Sequence, residues 1–253
     1  MFTPANLALG ILAAIIVGLS KTAVPGGGLL ATPVLAAVVA GRLIAGTIIP
    51  VLLVGDVLAV YLVRRSVRRD VLRPLVLPVA AGFGLGTLFY VLVGAGGRVL
   101  DVMIGATIVS MVLLQMRRLI RRSPPVAPTR ALAGGVGLVG GFTTFVSNAA
   151  GPVINTYFTG IGLPKNDLIS TSAWFYLAVN SAKVPAYFAI GQWSSGGPFF
   201  TTETLRFDLA IAPGVFFGVA AGRWLLPRLS QQVFTHIVLV LAGGASVKLL
   251  LGW

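Results

Sequence analysis

Along the chain, long apolar runs alternate with short polar joints. Eight apolar units can be marked, at 6–40, 44–63, 71–93, 99–116, 131–162, 168–190, 206–226 and 233–251. About 20 helical residues cross a bilayer core, and these runs have that length. Barrel strands would instead alternate over about ten residues, a pattern the sequence does not follow. The first and fifth units are interrupted. SKTAVPGGGLLATP (Ser20–Pro33) places a lysine, two prolines and three consecutive glycines inside one of the most apolar regions, and VSNAAGPV (Val146–Val153) breaks the fifth unit in a similar way. Proline removes an amide donor and blocks the helix, while glycine permits a sharp turn or close approach. In hydrocarbon, a broken helix survives only where protein or a water-filled cavity satisfies the freed backbone groups. The pattern predicts an all-α, polytopic integral membrane protein.

The proline-rich joint SPPVAPTR (Ser123–Arg130) falls near mid-chain and invites a search for a repeat. A shift of 123 residues lays GLSKTAVPGGGLLATPV, from Gly18, on GFTTFVSNAAGPVINTY, from Gly141. Gly28 then meets Gly151, and with one further residue inserted Asp56 lands on Asn180. Gly82 and Gly86 match Gly218 and Gly222 farther on. We read two homologous membrane repeats, 1–122 and 131–253, joined by a basic, proline-rich cytoplasmic linker at 123–130. Each has an interrupted helical hairpin followed by three transmembrane helices.

Parity relates the two repeats. If each interrupted unit enters and leaves on one side, three further crossings leave the repeats inverted. If each is a single broken crossing, they are parallel. Both arrangements put the basic loops RRSVRR (Arg64–Arg69) and RRLIRR (Arg117–Arg122) inside. The inverted one also puts Lys165 and Arg228 inside, and leaves outside IGQWSSGGPFFTTE (Ile190–Glu203), which has no lysine or arginine. The positive-inside bias favours inversion, with both termini outside.

Composition agrees with this picture. Of 253 residues, 57% are hydrophobic and 10% charged, too few charges for a water-facing surface, where about 25% is usual. The net charge of +13 raises nucleic acid as a partner, but the basic residues sit in short loops between spans and no soluble module accompanies them. Nucleic acid is therefore not an expected partner; the lipid bilayer is. MFTPAN lacks the basic start of a cleaved signal peptide, so the first apolar segment is expected to be retained. With no cysteine and no cluster of histidine and glutamate, neither a metal nor another cofactor is expected.

Within the spans, a few polar residues are candidates for chemistry. A helix restarting after the glycines would present free N–H groups and a positive dipole end, which bind anions. Lys21 and Thr22 precede the first break, whose turn is Gly26, Gly27 and Gly28. Ser147, Asn148, Gly151 and Asn155 line the second break. Asn180 and Lys183 are spaced i, i+3 and share one helix face. These eleven are the candidate substrate-binding residues, and paired breaks at matching positions of two repeats point to a transporter site. Helix packing and helix–helix hydrogen bonding are the competing uses. Asp56 reads as the only acidic residue well inside a span. A carboxylate repels an anion, so it is a candidate coupling residue, with protons as the candidate ion, or else a salt-bridge partner of Lys21. Trp174 and Tyr176 read as packing or interface anchors.

The chain resembles the TauE/SafE (sulfite exporter) family. In that family a glycine-rich segment followed by a proline opens each half, as GLSKTAVPGGGLLATP does here. The second half, Gly140–Gly191, is similar too, although its break reads NAAGP in place of a glycine run. The resemblance covers essentially the whole chain. It implies a multi-pass transporter in the cell (inner or plasma) membrane that exports small sulfur-containing anions, of the sulfite or organosulfonate type, coupled to an ion or proton gradient. An uptake carrier or passive channel for another small anion would use the same helix ends and lysines. Homo-oligomers are compatible with either.

An enzyme is the rival class. A serine hydrolase needs a serine in contact with a general base. The single histidine, His236, and the candidate Ser246 lie ten residues apart on one segment, about 15 Å at helical rise. No enzyme is expected.

Overall fold

A computed structural model describes residues 1–23, 31–39, 42–63, 66–92, 125–148, 150–193 and 197–225, with isolated positions between 102 and 121 and between 228 and 250. The expected units 99–116 and 233–251 lie almost wholly outside the described residues, and the first break with Gly26, Gly27 and Gly28 lies outside them too. Among the described residues there are helices and no strand. They are α1 (Pro4–Ala23), α2 (Ala31–Ala36), α3 (Arg42–Val63), α4 (Arg69–Leu72), a 3-10 turn (Arg73–Leu75), α5 (Val76–Leu92), α6 (Arg130–Ser147), α7 (Ala150–Gly160), α8 (Lys165–Trp193), α9 (Thr202–Ile211) and α10 (Pro213–Leu225).

Local chemistry sets several of these boundaries. Proline opens α1 and α10, where its missing amide costs nothing. Thr129 caps α6 by accepting from the Leu132 amide at 3.2 Å. Thr201 and Thr204 form a reciprocal capping box at the start of α9. At the second break Asn148 ends α6 in the left-handed region, φ 57°, and its amide bonds back to the Thr143 and Thr144 carbonyls. Asparagine is one of the few residues besides glycine that tolerates this conformation.

Among the described residues, four stretches are long and apolar enough to cross a membrane: Pro4–Thr22, Leu43–Val63, Arg69–Leu92 and Thr202–Leu225. The third runs from α4 through the 3-10 turn into α5, and the fourth joins α9 to α10. α8, with 29 residues, is longer than any of these but carries Ser170, Thr171, Ser172, Asn180 and Lys183, all buried. Much of its polarity is therefore buried within the protein. The protein is an all-helical, multi-pass membrane protein.

Glycines bring two helix pairs to backbone contact. α1 packs against α10, and α5 against α6. A Cβ on Gly218 would strike the Ile15 carbonyl and the Leu19 amide, and one on Gly82 would strike the Leu138 carbonyl and the Phe142 amide. The partner glycines behave alike: a Cβ on Gly18 would strike the Val215 carbonyl, and one on Gly141 the Val79 carbonyl. Both pairs run parallel, since the contacts advance together along the two helices. Small residues that let backbones approach are the main device of helix association in lipid. Gly82→Leu is expected to wedge α5 off α6 and lower the melting temperature in detergent, an overpacking cost of about 1–3 kcal/mol or more. An unchanged melting curve would mean that this contact is not made.

Helix ends fix the direction of travel. Met1 pairs with Glu203 at 2.9 Å, and the Phe199 backbone lies against Gly46, so the starts of α1, α3 and α9 share one end. At the other end the Arg68 amide donates to Thr171 Oγ1 at 3.0 Å and its guanidinium lies 3.8 Å from Asp167, near the start of α8. There too the Val126 amide donates to the Gly160 carbonyl at 2.7 Å, closing α6 and α7 into a hairpin. α3 and α8 therefore run antiparallel and meet midway at Asp56 and Asn180. Two apolar clusters flank that midpoint: one contains Tyr187, Phe145 and Phe199, the other Tyr176, Phe158 and Phe175.

Candidate functional site

Where α1 ends, α3 and α8 cross and α6 breaks, five polar side chains join into one chain of contacts. Lys21 Nζ lies 2.6 Å from Asp56 Oδ1. The other Asp56 oxygen accepts from Asn180 Nδ2 at 2.6 Å. Asn180 Oδ1 accepts from Lys183 Nζ at 3.1 Å, and Lys183 also donates to Asn148 Oδ1 at 2.7 Å. Asp56 and Lys183 are 0% exposed, and Asn180 is 2% exposed.

The order of these groups follows from charge. An amide has one acceptor end and one donor end. Asn180 turns its carbonyl to the ammonium of Lys183 and its NH2 to the carboxylate of Asp56, so a flip would break both bonds. Asn148 serves twice: its backbone makes the turn that stops α6, and its side chain takes the second Lys183 bond. Burying charges is costly unless each is paired and hydrogen-bonded. Here two lysines are gathered around one carboxylate and two asparagine carbonyls. Lys21 Nζ also lies 4.7 Å from the centre of the Tyr176 ring, in cation–π range.

The fold does not bring every sequence candidate to this network. Thr22, next to Lys21, points about 100° away around α1. Its hydroxyl donates to the Gly18 carbonyl at 3.2 Å and lies 3.4 Å from the Val219 carbonyl of α10. Asn155 on α7 accepts from Ser172 of α8 at 3.1 Å. Gly151 is buried near the start of α7. Ser147 is the last residue of α6, its side chain outside the description, and Gly26, Gly27 and Gly28 are outside it as well.

Other residues were missed from sequence. Tyr176 was set aside as an anchor, yet it is buried and faces Lys21. Tyr187 donates to the Phe145 carbonyl, and Tyr90 to the Val146 carbonyl at 2.9 Å, so two hydroxyls satisfy carbonyls that the end of α6 frees. The available signal was the stripe Tyr176, Asn180, Lys183, Tyr187, which follows helical spacing on α8. Asp208 is a correction: Asp56 is not alone among acidic residues inside a span, because Asp208 is 3% exposed within Thr202–Leu225. An open apolar groove between α6 and α7, lined by residues such as Leu132, Val139 and Tyr157, shares no residue with the charged network.

The family profile for sulfite exporter TauE/SafE matches residues 10–249, nearly the whole chain. The chain belongs to that family. The resemblance read from the glycine–proline breaks is thereby borne out, and membership makes this a membrane protein of the sulfite and sulfur-anion exporter class. TauE/SafE proteins are transporters, which sets the buried network in a family that moves anions. No curated protein and no solved structure matches the chain.

Proposed function

We propose that this TauE/SafE protein exports a small sulfur oxyanion, sulfite or an organosulfonate, across the cell membrane, binding it near mid-membrane at the Lys21–Asp56–Asn180–Lys183–Asn148 network. The observation that carries the reading is the pair of lysines joined through two asparagines to a single buried carboxylate in that network. Intramembrane ionisable groups generally mark substrate or ion pathways, and the lysines suit an anion. The breaks at Gly26, Gly27 and Gly28 and at Ser147 to Gly151 would add backbone N–H donors from restarting helices. Thr22 and Asn155 would hold the surrounding helices in register.

The two repeats, 1–122 and 131–253 about the linker 123–130, are proposed to be inverted. What supports this is the exchange of equivalent contacts. Gly18 aligns with Gly141, and Gly82 with Gly218; each member of a pair meets the same kind of backbone group on the partner helix. α1 and α3, on either side of α2, both start at the Met1 end, whereas the α6–α7 hairpin starts and returns at the Arg68 end. Inverted repeats with a site at their interface are a common build for alternating access.

Asp56 is proposed as the coupling residue. An incoming anion competes with it for Lys21, and a carboxylate that loses its ammonium in a dry site must take a proton. Anion and proton then bind together, each raising the other's affinity. Substrate and proton gradients together set the direction of net flux.

Asn148→Gly tests the site without disturbing the turn, because glycine keeps the left-handed backbone while removing the Lys183 acceptor. The expected result is an affinity for sulfite or isethionate at least about 10-fold weaker by titration calorimetry, from one lost charge-assisted contact of about 1.5 kcal/mol, with little change in melting temperature. Unchanged affinity would remove Asn148 and its lysine from the site.

A further inference from the structure

Asp208 lies on α9 with its side chain buried, and neither carboxylate oxygen has a hydrogen-bond partner among the described residues. It shares the inward face of α9 with Thr204, Phe207 and Ile211. Phe207 and Ile211 pack onto α1 at Gly10, so the surroundings are apolar. α9 also packs on α3, the helix that carries Asp56.

Among the described side chains, the ionisable groups nearby are paired elsewhere or exposed. On α1, the Met1 amino group pairs with Glu203 and Lys21 pairs with Asp56. On α3, Arg42 stands at the first residue, Asp56 is in the network and Tyr61 is exposed. On α10, Arg223 is exposed, as are Glu203 and Arg206 on α9 itself. A carboxylate in such a setting lacks both water and counter-charge, and the form that fits is the neutral acid. Carboxyl groups at membrane depth commonly mark proton relays, in which the proton comes and goes.

We propose that Asp208 is a second proton-binding site of this transporter, between the Met1 end of the fold and Asp56. It lies five residues past Glu203, roughly 7.5 Å along the helix at 1.5 Å per residue. Protons entering from that end would load Asp208 before Asp56. The inference rests on the proton-coupled reading of the transport cycle, but its first test does not require transport.

The first test is infrared spectroscopy of the purified protein in detergent at neutral pH, comparing wild type, Asp208→Asn and Asp208→Leu. The expected result is a protonated-carboxyl stretching band in the wild type that is lost in both variants. The leucine variant keeps the comparison usable if the asparagine variant folds poorly. A band that both variants retain would overturn the assignment. The second test is isethionate flux in proteoliposomes with and without a pH gradient. Asp208→Asn should lose most of the acceleration that the gradient gives the wild type, while still binding isethionate. Loss of the band with an intact gradient response would also overturn the role, leaving Asp208 a permanently protonated packing residue. If the wild type itself ignores the gradient, proton coupling fails and this role with it, whereas the band still reports whether Asp208 holds a proton.

Discussion

Lys21→Met is expected to cut sulfite flux in proteoliposomes at least about 30-fold, the loss of one charge-assisted contact of about 2 kcal/mol. It is also expected to destabilise the protein, because Asp56, 0% exposed, would keep only Asn180 as a partner. Breaking a buried pair from one side costs about 3–5 kcal/mol. The two effects separate in the double variant Lys21→Met/Asp56→Asn, which removes the orphaned charge. Its melting temperature should return most of the way to wild type while flux stays absent. If the double variant transports, Lys21 is only the structural partner of Asp56. If the single variant melts like wild type, Asp56 is not held by Lys21 in the protein as it folds.

Asp56→Asn is expected to uncouple transport from pH. On the proposed coupling, raising pH should remove the proton from wild-type Asp56, which would then reclaim Lys21, so apparent anion affinity should fall as pH rises. The neutral amide cannot do this, and Asp56→Asn should bind with an affinity that is flat in pH and at high pH exceeds that of the wild type. Isethionate is the probe to use, since a sulfonate keeps its single charge across the range. Flux in the variant should be indifferent to an imposed gradient but remain saturable. A wild-type pH profile retained in Asp56→Asn would move coupling to another group.

Much of this site was legible because charge inside an apolar run is conspicuous. Lys21, Asp56, Asn180 and Lys183 stand out in the sequence, but the alignment of Asp56 with Asn180 did not say that the two would be bonded to each other. The break at Asn148 was readable from its polarity and the following glycine and proline. Thr22 was drawn in by adjacency, but neighbouring helical residues face different directions and Thr22 turns to α10. Tyr176 and Tyr187 hid because buried tyrosines and packing tyrosines look alike in sequence; only the partner across the helix interface distinguishes them. Asp208 was missed through a boundary. The apolar run suggests a start at 206, whereas the Thr201 capping box starts the helix at Thr202 and carries Asp208 nearly two turns deep.

Long-range pairing was the least accessible level. That α1 would pair with α10 and α5 with α6 follows from glycines meeting backbone across the middle of the chain. A glycine in a membrane helix signals close approach but does not name the partner.

The central claim is that a buried, lysine-bearing network binds a sulfur oxyanion that is moved across the membrane. Radiolabelled sulfite flux in proteoliposomes, measured for wild type and Lys183→Met with and without a pH gradient and with sulfate as competitor, tests it most directly. The account predicts saturable wild-type flux that the gradient accelerates, and loss of that flux in a folded Lys183→Met protein. Wild-type flux no greater than in empty vesicles, or full flux in the variant, would contradict it.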